Sequence, residues 1–232
     1  MRVSIHIPKT AGQSWEAQLG ASFGPRLLLD KEFEDKVNSI ESYREIFEKN
    51  TPRAEMRDRE QRAKLLEQRE TLMRDYDAIH GHFVADKYVG VFPATDFVAT
   101  FRDPYQQMVS AYYFMKRKEK ESFEKFNPTL PQFIAAFSNM QSPFLGSVTL
   151  GDLAMVGLTE QYERSVALFE AIFGKKISQD MRRVNTNPDR QGATYEIDAE
   201  VKAAVDHHCA ADIELYRRAQ ERFQKLASRY GV

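Results

Sequence analysis

Cysteine is almost missing from this chain: Cys209 is the only one in 232 residues. No intramolecular disulfide can form, so a packed core must hold the fold, as in proteins of reducing compartments. Neither sign of charge dominates. Thirty-three Lys and Arg oppose 34 Asp and Glu, for a net charge of -1. That balance excludes the broadly basic surface of a dedicated nucleic-acid binder, while leaving room for a local basic cleft. No run approaches the ~18 consecutive apolar residues of a membrane-spanning helix. No secretory leader is evident, because the first strand signal begins almost at Met1. Internal repeats and low-complexity linkers are also lacking. The expectation is a cytoplasmic protein without an integral membrane segment or nucleic-acid partner. The hydrophobic fraction of 42% suffices for a sizeable core. One domain spanning 1–232 is expected.

Strand patterns recur at Arg2–Ile7, Asp77–Phe83, Asp96–Phe101 and Ala154–Leu158, with a shorter one at Leu27–Leu29. Between them lie helical patterns at Gln13–Ser22, Ser42–Lys49, Arg53–Arg74, Tyr105–Lys118, Leu130–Met140 and Gln161–Phe173. Such alternation predicts an α/β fold with a central parallel β-sheet flanked by helices. At the end of the chain, Val201, Val205, His208, Ala211, Leu215, Ala219, Phe223, Leu226 and Tyr230 form one apolar stripe. Their spacing predicts a single long helix over Asp198–Tyr230 that stops at Gly231. The stretch 53–75 is densely charged and reads as a solvated helix, or else as a movable cleft wall.

Three motifs carry chemistry. The first follows the opening strand: Pro8 and Lys9 break the run, and Thr10-Ala11-Gly12-Gln13-Ser14 opens a helix. A strand, a turn of small residues and a helix N-terminus point several N–H groups and the positive end of the helix dipole at one place, which suits an anion. Lys9 adds a positive charge there. The loop is not a Walker A motif, in which the lysine follows the last glycine. A generic phosphate site and a turn without ligand both remain open.

The second is Arg102-Asp103-Pro104 at the end of a buried strand, with Ser110 eight residues on. Pro104 suits the first turn of the next helix. Ser110 then lies ~9 Å along that helix, within reach of a ligand shared with Arg102. A guanidinium fork and a hydroxyl suit phosphate; an Arg102–Asp103 pair is the plainer alternative. The third is Ile79-His80-Gly81-His82-Phe83, whose alternate residues put both imidazoles on one strand face. Histidine suits proton removal from a hydroxyl near neutral pH. A metal pair would need a third ligand, and no local carboxylate or cysteine supplies one. A pair of structural histidines is the remaining alternative. His207-His208-Cys209 are adjacent helix positions that do not face one another. The turn-rich stretch Asn185–Gly192 reads as a loop.

His6-Ile7-Pro8-Lys9-Thr10-Ala11-Gly12 resembles the 5′-phosphosulfate loop of sulfotransferases that use PAPS (3′-phosphoadenosine 5′-phosphosulfate). The likeness is greatest to the heparan sulfate O-sulfotransferases, and to the 2-O-sulfotransferase group in its His-Gly-His. The run from Arg102 to Ser110-Ala111-Tyr112-Tyr113-Phe114 resembles that family's 3′-phosphate motif, and Asp212-Ile213-Glu214-Leu215-Tyr216 a stretch near its end. The resemblance spans nearly the whole chain in order. It implies a P-loop-like sulfotransferase fold and transfer of a sulfuryl group from PAPS to a hydroxyl, with PAP as product and no metal. It implies Lys9, Thr10, Ala11, Gly12, Gln13, Ser14, Arg102 and Ser110 as donor ligands, with Arg190 and Gly192 closing over the donor. His82 is implied as the base, with His80 as its partner and Lys9 as a second catalytic group. The acceptor would be a saccharide or glycoconjugate. Two positions depart from the family pattern: Gln13 replaces a small hydroxyl residue and Gln107 a frequent arginine. Lack of a membrane anchor separates the chain from Golgi members and suggests a soluble bacterial one. A P-loop-type small-molecule kinase and a non-catalytic nucleotide-binding module are the alternatives.

Overall fold

Five parallel strands form one sheet in the order β2-β3-β1-β4-β5. They are β1 (Arg2–Ile5), β2 (Leu27–Asp30), β3 (Ala78–Gly81), β4 (Phe97–Phe101) and β5 (Met155–Leu158). The structure is a computed structural model describing residues 1–30, 62–118, 123–124, 127–177 and 194–232. Every residue of β3, β4 and β5 is buried. That is what helices on both faces of a parallel sheet require, and why these strands read as near-continuous apolar runs. The α/β class and its parallel sheet therefore stand as the sequence implies.

The helices are α1 (Gly12–Phe23), α2 (Arg69–Asp75), α3 (Pro104–Lys118), α4 (Leu130–Ala136), α5 (Tyr162–Phe173), α6 (Ala199–His208) and α7 (Ala210–Tyr230). One hydrophobic cluster joins the sheet to Trp15, Leu19, Val166, Phe169, Phe223 and Leu226. A second lies among α3, α4 and α6, with Met108, Phe133, Ile134, Val201, Val205 and Cys209 at its centre. Cys209 is fully buried, and that burial pushes its thiol up to about 11. It is a packing group, not a nucleophile. No helix among the described residues is long and apolar enough to cross a membrane.

The single helix expected over Asp198–Tyr230 is two helices, broken at Cys209. The cause is a side chain inserted from elsewhere. Asn139 Nδ2 donates to the His208 carbonyl at 3.3 Å, and Asn139 Oδ1 accepts the Asp212 N–H at 3.1 Å. The amide thus replaces the bond that Asp212 N–H would make to His208 in a continuous helix, which is a recognised cause of kinks. Asp198 caps the first segment through Val201 N–H at 2.8 Å, and Gly231 ends the second with φ 72°, a conformation glycine adopts freely. The helix predicted over Leu130–Met140 also stops early, at Ala136. Ser42–Lys49 and the first part of 53–75 lie outside the described residues. The rest is helical at 62–67 and again in α2, packs Leu65 and Leu72 on the core and exposes most of its other side chains.

Candidate active site

The chain leaves β1 to build β2 and β3 on one side, then returns past β1 to build β4 and β5 on the other. The strand order therefore reverses between β1 and β4. In open α/β sheets ligands bind outside the carboxyl ends at that point. Two sequence motifs leave these strands side by side: the His6–Ala11 loop after β1, and Arg102-Asp103 after β4.

The first loop is held in an unusual backbone form. Lys9 has φ 64° and Ala11 φ 67°, left-handed conformations that cost a non-glycine residue about 1–2 kcal/mol each. Three contacts keep them. Thr10 Oγ1 donates to the Ile7 carbonyl at 2.9 Å. Gln107 Nε2, fully buried on α3, donates to the Pro8 carbonyl at 2.8 Å. Arg102 Nη1 donates to the Lys9 carbonyl at 3.0 Å, so the two motifs touch. Helix α1 then starts at Gly12. Its preceding residue, Ala11, has no polar side chain to cap the first-turn N–H groups, and Gln13 beside them is exposed. Asp103 caps α3, accepting the N–H groups of Tyr105 and Gln106 at 2.8 and 3.2 Å. The carboxylate therefore serves the helix end. Ser110 is buried on α3 about one and a half turns past Pro104.

Lys9 reaches away from bulk water. Its Nζ lies 4.0 Å from the centre of the Phe114 ring, a cation–π contact. Pro8, Phe114, Met115, Phe133, Phe137 and Met140 surround a cavity of about 20 Å³ beside it. Burial, then the nearby Arg102 and Arg117 charges, lower Lys9 to about 8. The ammonium is charged at neutral pH but poised to gain from a bound anion.

The histidine pair becomes a trio. His6, at the end of β1, stacks on His82 at 3.7 Å and on His80 at 5.0 Å between ring centres. Only glycine at position 12 admits the His6 ring, because a Cβ there would lie 1.6 Å from Nε2. Gly81, between His80 and His82, is needed on its other side: a Cβ would lie 2.1 Å from the Asp30 carbonyl oxygen. His82 Nδ1 donates to the His6 carbonyl at 2.6 Å. A carbonyl can only accept, so Nδ1 carries the proton and Nε2 the lone pair. Burial lowers His82 to about 4, partly opposed by the His6 carbonyl and reinforced by Lys118. The imidazole is therefore neutral through the physiological range. His80 is 1% exposed, with Nδ1 2.9 Å from Ser4 Oγ, which also accepts from Trp15 Nε1 at 3.2 Å. It supports the stack from within the core.

Sequence spacing offers the histidine pair no carboxylate, but the fold supplies one. Glu16 on α1 brings a carboxylate oxygen to His6 and His80, with all three donor atoms within 4.8 Å of one another. The trio can share a proton or hold a divalent ion. His6 and Glu16 are thus site residues that motif reading passes over. The signal for His6 is its place two residues beyond Ser4, which pairs with His80 in the sheet register. The basic end of α3 also faces the site in part. Lys118 Nζ lies 5.7 Å from the Phe114 ring that Lys9 covers, while Lys116 turns to Tyr112. Lys120, Lys125, Arg190 and Gly192 lie outside the described residues. Comparison of the chain with known family models, with curated proteins and with solved structures finds no match.

Proposed function

We propose that this protein is a PAPS-dependent sulfotransferase acting on a hydroxyl, with a carbohydrate as the favoured acceptor. The observation that carries the reading is the contact between Arg102 and the Lys9 carbonyl, which joins two anion-suited turns beside the neutral imidazole of His82. PAPS presents two separated anionic groups, a 5′-phosphosulfate and a 3′-phosphate. In this reading Lys9 and the backbone of Thr10, Ala11, Gly12, Gln13 and Ser14 receive the first, and Arg102 and Ser110 the second. The Arg102 guanidinium, held beside the first loop by the Lys9 carbonyl, fits that role.

The chemistry follows from the protonation states. The acceptor oxygen attacks sulfur in line with the departing phosphate oxygen. Its proton passes to His82 Nε2, whose lone pair is set by the Nδ1–H bond to His6. The sulfur–oxygen bond to the phosphate breaks and its electron pair stays on PAP. Lys9 and the loop N–H groups stabilise the growing charge there. A sulfuryl group carries less charge than a phosphoryl group, so a divalent cation is not required for its transfer.

A second reading has one observation in its favour. Glu16 beside His6 and His80 is the kind of set that holds a metal, which suits a metal-dependent phosphotransferase using ATP. Incubation with sulfur-labelled PAPS, or with γ-labelled ATP and Mg²⁺, and a panel of hydroxyl acceptors separates the two. Label transferred from PAPS supports the sulfotransferase; transfer from ATP alone overturns it.

A further inference from the structure

The turn that carries Arg102 is clamped from distant parts of the chain. Gln141 is fully buried. Its Oε1 accepts the Arg102 N–H at 3.0 Å, and its Nε2 donates to the Arg102 carbonyl at 2.8 Å. One side chain thus satisfies both main-chain groups of Arg102 where β4 ends, as a neighbouring strand otherwise would. Gln141 is itself fixed. Its N–H donates to Asp212 Oδ2 at 2.8 Å, and the Ser142 N–H donates to Asp212 Oδ1 at 2.8 Å. Asp212 is 1% exposed, and its own N–H is held by Asn139, the residue that breaks the C-terminal helix. A parallel link ties the next residue. Glu160 Oε1 accepts the Asp103 N–H at 3.1 Å, while Glu160 Oε2 accepts from Tyr216 Oη at 2.7 Å. Both residues of the Arg102-Asp103 turn are therefore anchored to α7, Arg102 through the buried Gln141 and Asp212, Asp103 through the exposed Glu160.

The leverage is large. An arginine reaches roughly 6–7 Å from its Cα, so a tilt of about 10° moves the guanidinium by about 1 Å, enough to spoil a bidentate contact. We infer that Gln141 is the positioning residue for Arg102, and that Asp212 holds Gln141, so that the start of α7 sets the aim of the guanidinium at a 3′-phosphate. The inference rests on the proposed role of Arg102. It also explains why the helix break is useful: the inserted Asn139 and the Gln141 clamp come from one short turn, and the break presents Asp212 to both.

The test is a titration of the full-length protein with PAP and with ADP, which lacks the 3′-phosphate. Gln141→Met removes both hydrogen bonds to Arg102 at similar volume. It is expected to weaken PAP by about tenfold, the low end of a lost charge-assisted contact, and ADP by less than about twofold. The double variant with Arg102→Ala is expected to bind PAP no more weakly than Arg102→Ala alone, because the two act as one unit. Equal losses for PAP and ADP, an unchanged preference, or additive losses in the double variant would overturn the inference. Should Gln141→Met not fold, Asp212→Asn, which forfeits one of its two N–H contacts, reads the same ratio. A narrowed preference supports the inference and a full one refutes it. A wild type that binds PAP and ADP alike would instead overturn the role of Arg102, and the inference with it.

Discussion

Replacing His82 with alanine separates proton transfer from donor binding. In the folded protein burial holds this imidazole near 4, well below the ordinary value of about 6.5. The difference is largest in mildly acidic solution. At pH 5.5 a group of pKa about 4 is about 97% neutral, whereas one of about 6.5 is only about 10% neutral. The kcat/KM profile, which reports the free enzyme, is therefore expected to stay flat down to about pH 5. It then falls as His82 gains a proton. The upper limb belongs to Lys9, lowered to about 8. Bound PAPS, being anionic, favours the protonated forms of both groups, so both limbs of the kcat profile shift upward. His82→Ala is expected to lower kcat by roughly 10²–10⁴, the usual share of general-base catalysis, and to leave PAP affinity within about twofold. Its lower limb disappears while the Lys9 limb remains. The assay is initial-rate transfer of labelled sulfate from about pH 3.5 to 9.5, with circular dichroism confirming folding at each end. A variant with near wild-type kcat, or a limb near 6.5 that survives the substitution, would refute the assignment.

Three further outcomes follow from the same geometry. Gly12→Ala drives a methyl group into the His6 ring; overpacking of this kind costs about 1–3 kcal/mol, so Tm is expected to drop by roughly 3–10 °C, and an unchanged Tm would show that the ring is not confined there. Transfer is expected to proceed in excess EDTA, and a requirement for Mg²⁺ or Zn²⁺, with the metal-dependent activity lost in Glu16→Ala, would favour the metal reading of the histidine cluster. Lys118→Glu, beside Phe114, is expected to raise the KM of an anionic acceptor several-fold with PAP affinity unchanged, while Lys116→Glu, beside Tyr112, leaves both unchanged; equal effects from the two would show that Lys118 does not face the acceptor.

Much of the fold is legible in the chain, because four buried strands and their helices announce themselves by local patterns. Even the short β2 shows in Leu27–Leu29. The order of the strands is not legible, since pairing depends on contacts between residues far apart in sequence. It is this order that puts Lys9 beside Arg102. The break at Cys209 is hidden for a similar reason: its cause, Asn139, lies about seventy residues away. The apolar stripe runs through the break although its halves serve different clusters: Val201 and Val205 pack among α3 and α4, Phe223 and Leu226 with the sheet. At the site, the histidine pair and the first loop are visible as motifs, but His6 and Glu16 become partners only through strand register and the docking of α1. Lys116 and Lys118, both exposed at the end of α3, turn to different rings, Tyr112 and Phe114, which depends on contacts the helix makes and not on its charge pattern. Finally, the ordinary histidine pKa is what the sequence suggests, whereas burial of His82 in the fold lowers it.

The most direct test of the central claim is calorimetric titration of the wild type with PAP and ADP. Arg102, anchored to the Lys9 carbonyl, is the group proposed to recognise the 3′-phosphate. Losing one charge-assisted contact costs about 1.5–3 kcal/mol, so PAP is expected to bind roughly 10- to 100-fold more tightly than ADP. Arg102→Ala is expected to erase most of that margin. Equal affinity for the two nucleotides in the wild type would contradict the assignment.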